Sequence, residues 1–598
     1  MTPPAPWRRA LLLVAALCAC ASGPPRRPAG WHQGDRSYAV TYLDWMIRRE
    51  MARRSIRGLS IAVVDDHRTL FERGYGYADA GQGIAATPDT VYRIGSVSKV
   101  VTAALVMSLV ERGQLDLDAP VTAYEPSFTI HSRFAAAPIT LREVLSHHAG
   151  LPANVTHGMW VDAPAPLSSV TTLLADESLV SPPGTMFHYS NIGFAFAGRI
   201  VENVTHQPFA EAAQRTLFDP LGMTSSSFES DARLAARLAV GYLGDRVIAP
   251  TPLRDVSAGS MLSTAGDLGR FLQMMLARGS FGDVRVLSPE SVATLLTPQF
   301  EDRALDLGHR VALDWVTGGP VVRGVDEPVS WHNGYAPPFD ADVSLLRDAR
   351  LGVVVLSNTA QAGSAQIAAR ALELMREVDT GVAQPEPEDP EDPEVPAARS
   401  DLDALAGEYV GLGAQTTTIR RDGRRLHAQL FGRDLELIPT GPRRFVPRAT
   451  VFFGLFGRTL ANLTLSFEHV EGRDFAVLRG GATHVVFERL SQVPIPEAWR
   501  RRAGPYTVET SGESFTFTSM NVAADHGALT LSYATRTRHP GGPVGAGDTI
   551  MGGAVTLRLI PVSDDEAIVA GVDQGETVRA ARDAQGETLH YSGFVLRR

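Results

Sequence analysis

Lysine is almost missing from this chain of 598 residues. Its 56 basic residues are 55 arginines and a single lysine, Lys99, although lysine ranks among the commonest residues of ordinary proteins. Exposed cations tolerate that exchange. A site that needs an amine able to lose its proton does not, because guanidinium stays charged at any accessible pH whereas a buried ammonium shifts readily. The surviving lysine is therefore a candidate for chemistry before any motif is sought. Cysteine is nearly as scarce: Cys18 and Cys20 are the only two, both within the N-terminal leader. The rest of the chain offers no disulfide, no thiolate metal site and no cysteine nucleophile. Past the leader there is no apolar run long enough for a membrane helix. Basic clusters are absent as well, and the net charge of −10, from 56 basic against 66 acidic residues, argues against nucleic acid as a partner.

What is present divides the chain. With 44% hydrophobic and 20% charged residues it is globular, and its length calls for two to four domains. Arg8 and Arg9 precede the short apolar run Ala10 to Ala19, the pattern of an export signal over residues 1–21. Leu17-Cys18-Ala19-Cys20 reads as a lipobox with Cys20 lipidated, giving a periplasmic protein whose only membrane contact is the lipid. Ala19-Cys20-Ala21 suits ordinary signal cleavage instead. Residues 380–400 carry Pro385, Pro387, Pro390, Pro393 and Pro396 among six acids, the composition of an extended linker.

Upstream of that linker, over residues 36–379, helical and strand patterns mix. An amphipathic helix is expected at Tyr38 to Arg54, a hairpin at Leu59 to Asp65 and Thr69 to Ala78, and an apolar helix at Val97 to Arg112. A second hairpin, Ala341 to Arg347 with Leu351 to Ser357, precedes a helix at Ser364 to Met375. Strands at both ends with helices between predict an α+β domain whose antiparallel sheet is closed by its two termini around an inserted helical region. Downstream, short alternating strands dominate and repeat. Ala406-Gly407-Glu408-Tyr409 returns as Ala503-Gly504-Pro505-Tyr506, and Leu435-Glu436-Leu437-Ile438-Pro439 as Leu557-Arg558-Leu559-Ile560-Pro561. Two tandem β modules, 401–492 and 493–598, are the expectation, against one larger barrel.

Lys99 follows Ser96 by three positions in Arg93-Ile94-Gly95-Ser96-Val97-Ser98-Lys99, at the start of the apolar helix. That spacing puts the amine and the hydroxyl on one face, one turn apart. Ser96 also sits where free backbone N–H groups favour developing negative charge. These are the requirements of an activated serine. Ser-x-x-Lys is the first motif of penicillin-binding proteins and serine β-lactamases, and the surrounding phrases resemble the class C β-lactamase and D-Ala-D-Ala carboxypeptidase B group. Its Tyr-x-Asn motif is matched by Tyr189-Ser190-Asn191, and its Lys-Thr-Gly or His-x-Gly motif by His332-Asn333-Gly334. Leu145-Ser146-His147-His148-Ala149-Gly150-Leu151-Pro152, Leu221-Gly222-Met223-Thr224 and Leu262-Ser263-Thr264-Ala265-Gly266-Asp267-Leu268 look like the family too.

The resemblance implies a β-lactamase/transpeptidase-like fold followed by lipocalin-like barrels. It makes Ser96 the acyl-accepting nucleophile, with Lys99 and Tyr189 sharing proton transfer in an order the sequence leaves open. Asn191 would hold the acyl portion of the substrate, and the backbone N–H groups of Ser96 and Tyr335 would form the oxyanion hole. His332, Asn333 and Gly334 would line the substrate. With no second lysine, His332 stands where many relatives keep a fixed cation, so recognition of a carboxylate would need an arginine that the sequence does not single out. The expected activity is metal-independent and cofactor-free cleavage of a small ester, amide or peptide. Adjacent His147 and His148 lack metal-ligand spacing. A true β-lactamase or carboxypeptidase, and a catalytically silent envelope binding or sensor protein, are the alternative readings. Self-association or substrate gating is expected of the β modules.

Overall fold

In a computed structural model the chain is described at residues 23–318, 322, 325–383, 395, 399–411, 416–430, 433–451, 456–459, 463–480, 483–491, 493–508, 513–525, 527–537, 554–571 and 575–598. The leader with Cys20, and most of the 380–400 linker, lie outside the described residues.

A seven-stranded antiparallel sheet organises the N-terminal half. Its strands are β1 (Gly58–Asp65), β2 (Thr69–Asp79), β3 (Ile84–Ala85), β4 (Val316–Thr317), β5 (Ser330–Ala336), β6 (Phe339–Leu346) and β7 (Leu351–Ser357). They run in the order β4-β5-β6-β7-β1-β2-β3. The seam between β1 and β7 joins the two ends of the unit, with Leu59 opposite Ser357 and Asp65 opposite Leu351. Sequence reading expected this closure by distant hairpins. Five helices matter to the site: α1 (Ser37–Arg54), α2 (Val97–Glu111), α3 (Asn191–Thr205), α4 (Ala265–Leu276) and α5 (Ser364–Thr380).

The sheet is covered on both faces, which explains why β1 reads as the nearly unbroken apolar run Gly-Leu-Ser-Ile-Ala-Val-Val. Side chains alternate across it. Leu59, Ile61 and Val63 pack with Leu43 and Ile47 of α1 and with Ile367 and Leu372 of α5. Ala62 and Val64 face the opposite way, into the core shared with α2, α3 and α4. Helix α2 is largely apolar, and every residue from Val97 to Leu109 is buried, Ser98, Lys99, Thr102 and Ser108 included, the signature of a central helix. Helix α5 runs five residues beyond the Met375 end expected from its sequence pattern. Val378 continues its buried face, and Gly381, at φ 71°, closes the helix with its N–H on the carbonyl of Glu377.

Downstream stand two separate barrels rather than one. In the first, nine strands between Gly407 and Arg489 close through the pairing of Arg433–Gly441 with Arg444–Val451. In the second, Gly504–Pro505 pairs with Phe515–Asp525 and Thr507–Val508 with Phe594–Arg597, so one short stretch joins both edges of the sheet. The repeated phrases occupy equivalent places. Tyr409 donates its hydroxyl to the carbonyl of Leu405, and Tyr506 donates to that of Arg502, each at 2.9 Å and each four residues back.

Both barrels dock on the N-terminal unit. Met186 and Leu307 pack with Phe475, Val477 and Val486 of the first barrel. The second grips the segment 156–161. Ser592 accepts the Thr156 N–H at 2.9 Å, the Ser514 N–H reaches the carbonyl of Trp160 at 3.1 Å, and buried Glu513 pairs with His157 at 2.6 Å.

Candidate active site

Ser96 is the N-cap of α2. The loop before it leaves no room for side chains. A Cβ on Gly334 of β5 would lie 1.9 Å from the carbonyl oxygen of Ile94, and one on Gly95 (φ 53°) would lie 2.6 Å from the backbone nitrogen of Tyr335. Strand β5 thus lies against the turn that carries Ser96, which is why both positions are glycine. A strap over residues 256–261 holds the helix start from another side. Thr102 donates to the Ser257 carbonyl at 2.7 Å, and Met261 donates its N–H to Ser98 Oγ at 3.2 Å.

Lys99 is fully buried. Its Nζ donates to Ser96 Oγ at 3.0 Å and to the carbonyl of Ala258 at 2.8 Å, and it lies 4.9 Å from the centre of the Tyr189 ring. Burial pulls its pKa down to about 8, against the opposing pull of the Asp314 and Asp255 carboxylates. Tyr189 precedes α3, and its ring lies 4.4 Å from that of His147 and 6.4 Å from that of His332. Burial, helped by the Asp314 charge, pushes its phenol well above the usual range. The two groups flanking the serine are therefore driven apart: the amine sheds its proton easily and the phenol keeps its own.

Asp314 is the group that sequence reading missed. It is buried in the left-handed region at φ 65°. His147 Nδ1 accepts the N–H of Ser190 at 3.0 Å, so its proton sits on Nε2, which donates to Asp314 Oδ1 at 2.9 Å. Burial lowers the pKa of His147 to about 4 and keeps it neutral. The second Asp314 oxygen lies 3.3 Å from His332 Nε2, while His332 Nδ1 lies 2.6 Å from the carbonyl of Asn333. Burial opposes charge on Asp314, yet His332 and His147 hold it below the usual carboxylate range. No spacing in Val311-Ala312-Leu313-Asp314-Trp315 announces this. The one available signal was His147, inside a phrase already noted as family-like.

The structure brings Ser96, Lys99, Tyr189, His332 and Gly334 together. Asn191 stands at the start of α3, half-buried, and its Nδ2 donates to Asn154 Oδ1 at 2.9 Å. Asn333 and Tyr335 have the opposite parity on β5 from His332 and Gly334, and their side chains are exposed. It is the backbone of Tyr335 that meets the Ser96 loop.

The Beta-lactamase family model matches residues 43–376. Penicillin-binding protein 4 of Amycolatopsis lactamdurans is 35% identical over 290 residues, 47% of this chain and 74% of that protein. Protein flp of Staphylococcus aureus (strain MRSA252) is 26% identical over 326 residues, 53% of this chain and 62% of that protein, so the present chain spans less than two thirds of that relative. The crystal structure of SurE with D-Leu shares the fold at a TM-score of 0.52 and 21% identity, over 75% of this chain and 98% of that one. The family match spans more than half of the chain and carries the seven-stranded sheet with its covering helices, so the chain belongs to the β-lactamase family of serine hydrolases.

Proposed function

We propose that the chain hydrolyses an ester or amide bond through an acyl-enzyme on Ser96. The observation that carries this reading is the buried Lys99 amine 3.0 Å from Ser96 Oγ. Ser96 Oγ attacks the acyl carbon and passes its proton to Lys99 Nζ, while the oxyanion is received at the N–H groups of Ser96 and Tyr335. The opposite displacement of the two pKa values supports this division of roles. Lys99 takes the proton, and Tyr189, still protonated, delivers one to the departing oxygen or nitrogen as the bond to carbon breaks. Tyr189, reprotonated from Lys99 as the leaving group departs, is then positioned with Lys99 to activate the water that releases the acid and restores Ser96.

Export, with a lipid on Cys20, belongs to the same reading, and so does a gating role for the second barrel. That barrel fixes the segment after Asn154, the partner of Asn191, and so bears on the rim where an acyl group would enter. Turnover is tested by assaying the purified protein against nitrocefin, p-nitrophenyl esters and D-amino-acid amides beside Ser96→Ala. Hydrolysis of at least one class that disappears in the variant is expected. Hydrolysis of none, or equal rates in both proteins, contradicts the reading.

A further inference from the structure

A cleft of ≈ 990 Å³ borders the catalytic loop without including it. Neither Ser96, Lys99, Tyr189, Asn191 nor His332 lines it. Its walls come from Arg93, three residues before Ser96, from Val256 and Ser260 on the strap that holds Lys99, and from an apolar group of Leu167, Phe209, Phe228 and Leu253. The volume is that of a small-molecule site, and its lining is more apolar than polar, with Arg93, Arg254, Glu202 and Glu229 as the charged groups.

Two arginines face this cleft, and they differ in one respect. Arg254 is fully committed: it donates to Asp255 Oδ1 at 2.7 Å and to the carbonyls of His157 and Val155 at 2.7 and 2.8 Å. Arg93 is only 6% exposed, yet no hydrogen bond or ion pair is made by its guanidinium among the described residues. Its Cζ lies 5.7 Å from the centre of the Trp160 ring, on the segment that the second barrel grips. Burial, with no counter-charge beside it among the described residues, lowers its pKa to about 10. A buried charge without a partner is costly, and guanidinium offers a planar fork that matches a carboxylate.

The geometry points to a second binding site in this cleft, in which Arg93 receives the carboxylate of a ligand whose apolar body lies against Leu167, Phe209, Phe228 and Leu253. Two acidic residues on the lining restrict the class further. Glu202 is occupied by the N–H of Phe209 at 3.2 Å and by Arg199 at 3.7 Å, whereas Glu229 is exposed at the rim. A second negative charge on the ligand would meet them both, so the site suits a monocarboxylate. Trp160 links the site to the second barrel through the Ser514 N–H on its carbonyl.

The test is isothermal titration of the full chain with 4-phenylbutyrate and, in parallel, with 4-phenylbutanol, which keeps the apolar body and drops the charge. The carboxylate is expected to bind at least tenfold more tightly, and Arg93→Gln to abolish that preference while leaving alcohol binding within about twofold. Glu229→Lys, a change on the exposed rim that leaves the fold alone, is expected to tighten the carboxylate and not the alcohol. Equal binding of both compounds by the parent protein overturns the proposal, even if Arg93→Gln fails to fold. So does a carboxylate preference that survives intact in a folded Arg93→Gln.

Discussion

Replacing Lys99 by arginine keeps the charge and the donors while removing the ability to lose a proton. With its pKa brought to about 8 by burial, roughly half of the lysine is neutral at pH 8 and able to accept the proton of Ser96. Guanidinium has an ordinary pKa of about 12.5 to 13.8, and even lowered by burial as far as that of Arg93, to about 10, it is neutral in only about one molecule in 10² at that pH. At about 1.36 kcal/mol per pKa unit, a gap of at least two units amounts to about 3 kcal/mol or more against forming the reactive pair. Part of this is returned because a stronger base drives proton transfer harder, and general-base losses run at about 10²–10⁴-fold. We therefore expect kcat/KM for an activated ester to fall about 10²–10⁴-fold in Lys99→Arg. The pH profile supplies a second reading. In the parent, kcat/KM should rise with pH as the free enzyme loses the Lys99 proton, with a limb near pH 8, and any residual activity of the variant should lack that limb. Circular dichroism and thermal melting establish that the variant is folded. Activity within tenfold of the parent in a folded Lys99→Arg, with the limb unchanged, refutes the assignment of Lys99 as proton acceptor.

The same amine carries a cost in stability. Lowering its pKa from 10.5 to about 8 means that the charged form destabilises the fold by about 3 kcal/mol. Below pH 8 the folded and unfolded chains are both protonated and the full cost is present. Between pH 8 and about 10.5 only the unfolded chain holds the proton, so the stability of the parent rises with pH. Lys99→Met should therefore melt higher than the parent at pH 7, and the gap should narrow across that window; a lower melting temperature at pH 7 would show that the amine stabilises instead. Gly334→Ala places a methyl 1.9 Å from the Ile94 carbonyl oxygen, so β5 and the Ser96 loop must move apart: kcat/KM should drop on the order of 10²-fold or more and the melting temperature should fall with it, as read by esterase assay and calorimetry. Glu513→Ala leaves His157 without its carboxylate and loosens the segment next to Asn154, so KM should rise severalfold with kcat little changed if the second barrel gates the cleft.

Much of this arrangement could be read along the chain because its signals are local. Ser96 and Lys99 lie one helical turn apart, the hairpins that close the sheet are contiguous, and the barrel repeats announce themselves through the Tyr409 and Tyr506 phrases. The far end of α5 escaped because a pattern of apolar spacing weakens near a helix terminus, where Gly381 and not periodicity sets the stop. Asp314 escaped for a different reason. Its partners His147 and His332 are 167 and 18 residues away, and only the folded chain brings all three under Tyr189. Arg93 stood in plain view beside Ser96, but among 55 arginines only burial without a partner sets it apart, and burial is a property of the packing. The scarcity of lysine worked in the opposite direction, since it marked the one cation whose chemistry arginine cannot supply.

Acylation of Ser96 is the step on which the proposed chemistry depends. Incubating the full chain with a p-nitrophenyl ester, quenching in acid within the first turnovers and sequencing the proteolytic peptides by mass spectrometry reads this directly. The predicted result is one acyl mass on the peptide that contains Ser96, absent in Ser96→Ala and strongly diminished in Lys99→Arg. Turnover with no adduct on that peptide at any quench time, or an adduct that persists in Ser96→Ala, would contradict it.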